Sequence, residues 1–369
     1  MKVRFRPEEG KSRFHHDYSD SSSSFLPEVA ISRLEGHDGP ISAVRFSKDG
    51  KYCLTGSYDR SVRLWNPLRL DPAHPPTSKA SSTHAELHDN TADIPMEDLP
   101  QSLPIQLYHD GITHPVTAVA VDDASTTIVC ASEKTVVVHD VVTGQCKRRL
   151  QGHVGRINAV ALNPDAQVYL SASYDATVRL WDSRSRSFEP IQIFREAKDS
   201  VTAVHAVQES SIEVAIIRTA SVDGIVRTYD LRKGMLQCDD VKSPITGMCP
   251  VTKDRGGLLV NCLDGALRLI DLEQGSLVQH YADSHQAGQY GLDCAVSATA
   301  EHVATGSEDG SAVFYNAKNG RVCQVLEGHR QPTCSVALHP RKDQASVAIT
   351  ASFDGTAVVW GNDAGLMQW

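Results

Sequence analysis

Three sets of residues in this 369-residue chain carry the groups of a hydrolytic centre. They are His37, Ser57 and Asp59; His153, Ser173 and Asp175; and His329, Ser352 and Asp354. In acyl-transfer enzymes an imidazole activates a hydroxyl and a carboxylate orients the imidazole. Two features turn against that chemistry. The set occurs three times, whereas one reaction needs one triad. Each set also ends, six residues after its Asp, in a tryptophan: Trp65, Trp181 and Trp360. An indole N–H, a hydroxyl, an imidazole and a carboxylate can satisfy one another, as buried polar groups must. The expectation is three structural sets and no catalytic residue. Neither a phosphate-cradling glycine loop nor a His or Cys set with metal spacing occurs, so no cofactor or metal is expected.

The elements that must position these sets follow from a repeat. A turn residue and a run-end residue lie six apart seven times: Asp59 and Trp65, Glu133 and His139, Asp175 and Trp181, Asp223 and Tyr229, Asp264 and Ile270, Asp309 and Tyr315, Asp354 and Trp360. Successive turn residues are 74, 42, 48, 41, 45 and 45 positions apart. Within a repeat the pattern is strand-like. Ile41–Phe46, Tyr52–Thr55 and Ser61–Trp65 alternate with period two, and Lys48-Asp49-Gly50 and Tyr58-Asp59-Arg60 are the turns between them. No helical period is sustained, which excludes an α/β fold. Four-stranded repeats of roughly 40–45 residues predict an all-β, seven-bladed propeller.

Gly-His opens three repeats, at Gly36-His37, Gly152-His153 and Gly328-His329. With their Trp-Asp-like ends these repeats resemble the WD-repeat family. The resemblance implies that His, Ser, Asp and Trp of one blade bond together. It also implies that an N-terminal strand, here residues 28–34, completes the last blade beside the strand ending at Trp360. Repeats two, four and five depart from the pattern: Glu133 and His139 replace Asp and Trp, and repeats four and five lack Gly-His. Repeat six has His285 nearby but Tyr315 in place of Trp. These blades are expected to rely on apolar packing and to be locally weaker.

The propeller is expected to span 27–369 as one domain. Residues 1–26, with Ser21–Ser24 and many charges, read as a disordered tail. The long first gap reads as a disordered insertion over 70–104 in blade one, rich in proline from Pro72 to Pro104.

Hydrophobic residues make up 41% and charged residues 22%, with a formal net charge of -9. That charge argues against a general phosphate-backbone binder, so no direct nucleic-acid contact is expected. No apolar run approaches the ~18 residues of a membrane span, and no signal peptide is evident. The nine cysteines form no C-x-x-C pair. They read as reduced, mostly buried thiols of a cytoplasmic or nuclear protein.

Further segments lie outside the generic repeat: Trp65–Arg69, Asp182–Arg186, Glu189-Pro190, Glu196-Ala197, Ser221–Gly224, Tyr229–Arg232, Ser243–Thr246 and Ser307–Gly310. Together they resemble the mitogen-activated protein kinase organizer family of single-propeller scaffolds. The resemblance implies a non-enzymatic scaffold that gathers kinase-cascade components, from Raf through MEK to ERK, and spliceosomal components. It implies a monomer within larger complexes, in cytoplasm and nucleus.

Two short boxes, Trp181-Asp-Ser-Arg184 and Tyr229-Asp-Leu-Arg232, support an alternative. They resemble those of substrate receptors of cullin-type ubiquitin ligases. Lys147-Arg148-Arg149-Leu150 resembles a kinase-docking peptide, set where a strand is expected, and Ser243-Pro244 is a minimal proline-directed phosphosite. The turn before each key Asp should reach the top face. There Tyr58, Tyr174 and Phe353, with Arg156 and Arg330 in adjoining loops, are expected to form one protein-contact surface.

Overall fold

The computed structural model describes residues 2–4, 26–69, 99–163, 167–210, 213–251, 257–282 and 284–362. Seven antiparallel sheets of four core strands stand around an axis, as the repeat predicted. Blade one holds Ile41–Phe46, Cys53–Ser57, Ser61–Trp65 and Pro104–Tyr108. Blade two runs from Val116–Val121 to Cys146–Gln151, and blade three from Ile157–Leu162 to Gln192–Phe194. Blade four runs from Val201–Ser210 to Met235–Asp240, and blade five from Ile245–Pro250 to Ser276–Tyr281. Blade six runs from Cys294–Val296 to Val322–Leu326, and blade seven begins at Thr333–Leu338. The first strand of each blade is innermost and lies beside the first strand of the next.

Seven apolar clusters fill the seven seams between blades. The seam between blades seven and one, for example, packs Trp65, Ile41 and Val44 against Ile349 and Val359. Each blade is apolar on both faces because each face meets a neighbour, so in blades one, two and five even the second strand is buried throughout.

The ring closes where expected. Val29–Leu34 pairs antiparallel with Ala357–Gly361 as the fourth strand of blade seven, so both ends of the propeller share one sheet. The domain limits need correction on both sides of that strand. Residues 99–104, assigned to a disordered insertion, are ordered. Gln101–Ser102 adds a fifth strand, parallel to Val29–Leu34, and Arg33 donates its N–H to the Pro100 carbonyl at 2.8 Å. Leu99 and Leu26 are both buried in the cluster between blades six and seven. Burying those leucines and pairing an otherwise bare sheet edge explains why order extends past the assigned limits. In the segment assigned to the tail, Lys2–Arg4 pairs parallel with Gln237–Asp239 on blade four. The remainder of both assigned segments, 5–25 and 70–98, lies outside the described residues.

A second circuit of bonds ties blade to blade at the channel. In six inner strands the register slips by one residue at the top. The skipped residue turns its side chain to the next inner strand. Ser42 Oγ donates to Val116 O at 2.7 Å, Thr117 Oγ1 to Ile157 O at 2.7 Å and Asn158 Nδ2 to Val201 O at 2.9 Å. Thr202 reaches Ile245 O at 2.8 Å, Thr246 reaches Leu292 O at 3.3 Å and the Cys334 thiol reaches Ile41 O at 2.9 Å. Blade six makes the link with backbone instead: Asp293 N donates to Cys334 O at 2.9 Å. The Asp293 carboxylate is thereby left to Arg45 Nη1 at 2.6 Å and to the Ser335 hydroxyl at 3.1 Å, across three blades.

Candidate functional site

In blades one, three and seven the imidazole meets the carboxylate as the sequence predicted. His37 Nδ1 lies 2.7 Å from Asp59 Oδ2, His153 Nδ1 2.9 Å from Asp175 Oδ2, and His329 Nδ1 3.1 Å from Asp354 Oδ2. The hydroxyl is a different one. Ser57, Ser173 and Ser352 do not touch the imidazole or the indole; Thr55, Ser171 and Thr350 do. Thr55 Oγ1 is 2.7 Å from His37 Nε2 and accepts the Trp65 indole N–H at 2.8 Å. Ser171 and Thr350 repeat both contacts with His153 and Trp181, and with His329 and Trp360.

Strand geometry gives the reason. Residues two apart share a face but differ by about 7 Å in depth. The indole reaches only the deeper one. Ser57 stands at the strand end, where it accepts the Asp59 N–H and donates to the carbonyls of Gly39 and Pro40.

One neutral tautomer satisfies every link: Trp N–H to hydroxyl, hydroxyl to Nε2, and Nδ1–H to carboxylate. A further hydroxyl completes each set, with Ser61, Thr177 and Thr356 donating to the second carboxylate oxygen at 2.6, 2.5 and 2.6 Å. It always lies two residues after the Asp, a signal present in the sequence. Burial alone would raise these carboxyls, but the imidazole and hydroxyl bonds outweigh it and hold all three well below the usual range. Burial depresses His153, against the pull of Asp175. Thr55, Ser171 and Thr350 are sealed from solvent, so no substrate can reach these hydroxyls. Gly36 is required beside the first set: its φ is +143°, and a Cβ there would lie 2.4 Å from the Arg63 guanidinium.

Blades four and five add a polar tie to the apolar packing on which they were expected to rely more. Arg227 Nη2 lies 2.6 Å from Asp223 Oδ2, and its Nη1 reaches the Ser221 hydroxyl at 2.7 Å. Arg268 Nη2 lies 2.6 Å from Asp264 Oδ2. The arginine stands four residues after the Asp and takes the place of the absent histidine. In blade six His285 Nδ1 meets the Tyr315 hydroxyl at 2.8 Å. Blade two fits the expectation better: the Glu133 carboxylate meets the exposed His114, and His139 bonds the Asp110 carbonyl while its Nδ1 is buried without a partner.

The expected contact surface divides in two. Tyr58 and Phe353 approach to 6.3 Å between ring centroids, and Tyr290 joins Phe353 at 5.4 Å. Three rings thus cross blades one, seven and six on the top face, with Tyr58 39% and Tyr290 41% exposed. Glu308 accepts the N–H groups of Gln289 and Tyr290, at 2.6 and 2.9 Å, and so fixes the third ring. Sequence reasoning missed Tyr290 because it lies in a long loop, outside the turn position searched. Arg330 is exposed beside the row, its N–H bound to Asp354. Tyr174, 67% exposed, stands apart on blade three, its N–H on the Arg156 carbonyl at 2.8 Å.

The WD domain, G-beta repeat family matches residues 29–66, 144–182 and 320–361. The WD repeat domain-containing protein 83 homolog of Dictyostelium discoideum is 30% identical over 352 residues, covering 89% of this chain and 96% of the relative. WD repeat domain-containing protein 83 of Rattus norvegicus is 34% identical over 335 residues, covering 91% and 92%. That of Homo sapiens is 33% identical over 339 residues, covering 92% and 94%. The chain belongs to the WD repeat domain-containing protein 83 family.

In this family member the remaining short signals find plain structural places. Lys147–Leu150 lies in the outermost strand of blade two, where the Arg148 guanidinium bonds the carbonyls of Asp182, Ser183 and Ser187, so it is not an extended ligand. Ser243 is buried, which removes Ser243-Pro244 as an accessible phosphosite. Arg184 and Arg232 are both exposed just after third strands, and so is Lys318 at the same place in blade six. Exposure there is a property of the turn and does not favour a ubiquitin-ligase receptor. All nine cysteines are free; six are buried, Cys146 and Cys249 are half-buried, and Cys323 is exposed. Burial pushes the Cys249 and Cys262 thiols up to about 11, which keeps them protonated and unreactive. A cavity of about 200 Å³ between blades one and two is lined by Leu54, Leu64, Ile105, Val121, Ile128 and Val141, beside Tyr52 and two serines. It is below the ~300–1,000 Å³ of small-molecule sites.

Proposed function

We propose that this chain is a protein-interaction scaffold whose principal contact face is the row Tyr58, Phe353 and Tyr290. One observation carries this: three aromatic rings from three blades stand side by side at the surface, prepositioned by Glu308 and by the blade turns. Rings held in place lose little freedom on binding, and such anchors dominate interface energy. Resemblance to the mitogen-activated protein kinase organizer family supports spliceosomal and kinase-cascade proteins as the partners. It supports residence in both cytoplasm and nucleus, as a monomer within larger assemblies. The net charge of -9 weighs against direct nucleic-acid binding.

The test is affinity purification of the tagged protein beside a Tyr58→Ala, Tyr290→Ala, Phe353→Ala triple variant, with mass spectrometry of the co-purifying proteins. Spliceosomal or kinase-cascade proteins should follow the wild type and be depleted at least tenfold from the equally folded variant. Equal recovery by both forms would remove the row as the contact face. A separate Tyr174→Ala variant should retain the partners.

A further inference from the structure

Blades two, four, five and six pass from third to outermost strand by one tight turn. An Asp or Asn ends the third strand and accepts two backbone N–H groups: Asp140 those of Val142 and Thr143, Asp230 those of Arg232 and Lys233, Asp271 those of Glu273 and Gln274, and Asn316 those of Lys318 and Asn319. A glycine at positive φ closes each: Gly144, Gly234, Gly275 and Gly320. Blade three breaks the rule. Asp182 still accepts the Arg184 N–H, but no glycine follows, and residues 183–191 run as an irregular loop before Gln192–Phe194.

The loop reads Ser183-Arg-Ser-Arg-Ser-Phe-Glu-Pro-Ile191. Ser187 is exposed; its hydroxyl accepts the Glu189 N–H at 3.0 Å. Arg184, three residues before it, has a side chain 73% exposed, with a loose contact to Asp182 at 3.6 Å. Exposed ion pairs of that kind are worth little, so the guanidinium can be taken by another carboxylate. Arg186 immediately before is exposed, and Phe188 immediately after is 69% exposed. A hydroxyl with guanidinium groups at three and one residues before it, and an apolar ring directly after it, suits a kinase whose substrate groove is acidic with an adjoining apolar pocket.

We propose that Ser187 is a phosphorylation site for an arginine-directed serine kinase. In that step the γ-phosphoryl group of ATP passes to Ser187 Oγ. The new Oγ–P bond forms as the P–O bond to ADP breaks, and the hydroxyl proton leaves through the kinase's base to solvent. The product has its own receptor. Arg148 Nη2 already bonds the Ser187 carbonyl at 2.6 Å. A phosphate on the same residue adds an anion to the residue whose carbonyl that guanidinium already holds, where charge-assisted bonds can form. The modification thus turns a basic, apolar loop on the bottom rim into an anionic one.

The experiment treats the full-length folded chain with ATP and the catalytic subunit of cyclic-AMP-dependent protein kinase as the probe, then maps the sites by mass spectrometry. A synthetic peptide spanning 181–192 is treated in parallel. Phosphate on Ser187, lost in Ser187→Ala and slowed at least tenfold in Arg184→Gln, is the expected result. Modification of the peptide but not of the folded chain overturns the proposal, because the fold then withholds the loop; modification of neither overturns it as well. Phosphorus NMR reads the receptor: the phosphoserine should titrate below its counterpart in the phosphopeptide, and Arg148→Ala should bring the two together. Identical titration in the unsubstituted protein and the peptide removes Arg148 from the proposal.

Discussion

Blades three and four are neighbours that anchor the same turn carboxylate with opposite chemistry. In blade three Asp175 faces a histidine bonded to a hydroxyl and, through it, to an indole, and Arg179, four residues on, feels Asp175 with no ion pair to it among the described residues. In blade four the histidine is absent, and Arg227 at that same position takes Asp223 directly. Blade one shows the competition within one set: Arg63 stands 4.0 Å from Asp59 while His37 stands 2.7 Å away. Where blades one and three carry both groups, the histidine takes the carboxylate and the arginine stands back; in blade seven Val358 fills the arginine's position. The difference teaches that a diverged repeat need not be a weak one. In blades one, three, four, five and seven the turn carboxylate keeps a cationic or imidazole partner, and two chemistries supply it.

The sharpest way to break this equivalence is to remove one partner. Arg227 is buried and Asp223 nearly so. Burial would raise Asp223, yet the Arg227 bond and the Ser221 hydroxyl hold it below the ordinary carboxylate value. Arg227→Ala leaves that carboxylate buried without its cation, a change that costs about 3–5 kcal/mol. Chemical denaturation should show the loss. Arg63→Ala should cost far less, because His37 holds Asp59 already. Equal losses would mean that the arginine contributes the same in both kinds of blade.

The repeat was legible in the sequence because it depends on spacing alone, and the closing strand and the His–Asp pairs because the repeat carried the WD-repeat resemblance that implies them. Thr55 was not. Both Thr55 and Ser57 precede Asp59 by an even number, so alternation puts both on one face, and only the depth of the Trp65 side chain separates them. Arg227 was overlooked because an arginine in a strand reads as surface, and its burial follows from the missing histidine two elements away. The circuit from Ser42 to Cys334 was hidden for another reason: its donors are a serine, three threonines, an asparagine and a cysteine, unlike as a sequence and alike only at a register slip. Leu99 lay in a stretch whose composition read as disorder, and composition does not say where a chain returns to a core.

A second test sharpens the histidine side. Thr55→Val keeps the shape but removes both the acceptor of the Trp65 indole N–H and the donor to His37. Leaving those buried groups unpaired costs about 1–3 kcal/mol. The Trp65 indole N–H resonance should move away from its hydrogen-bonded position and exchange faster. Ser57→Ala, which removes turn contacts alone, should leave that resonance in place. A shift in both variants, or in Ser57→Ala only, would return the tetrad to the serine.

The smallest effect separates the two chemistries by pH. Burial lowers His153 below its unfolded value, and Asp175 only partly offsets this. A group with a depressed folded pKa binds its proton more readily in the unfolded chain. Its contribution is therefore complete above the unfolded value, about 6.5, and is lost as pH falls through the folded value. Arginine does not titrate in this range, so the Asp264–Arg268 tie of blade five lacks that upper window. Both kinds of blade share the lower window, where the depressed carboxyls of Asp175 and Asp264 give up their contribution as pH falls below about 4. Hydrogen-exchange protection factors measured at pH 7 and pH 5 isolate the upper window. Amides of Val168–Ser173 and Val178–Asp182 should lose protection between those values, while those of Gly257–Cys262 and Leu267–Asp271 hold theirs. A His153→Gln variant should flatten the blade-three response. If blade five declined in step with blade three, the loss would be a global property of the ring, and the two carboxylate partners would be equivalent in pH as well as in place.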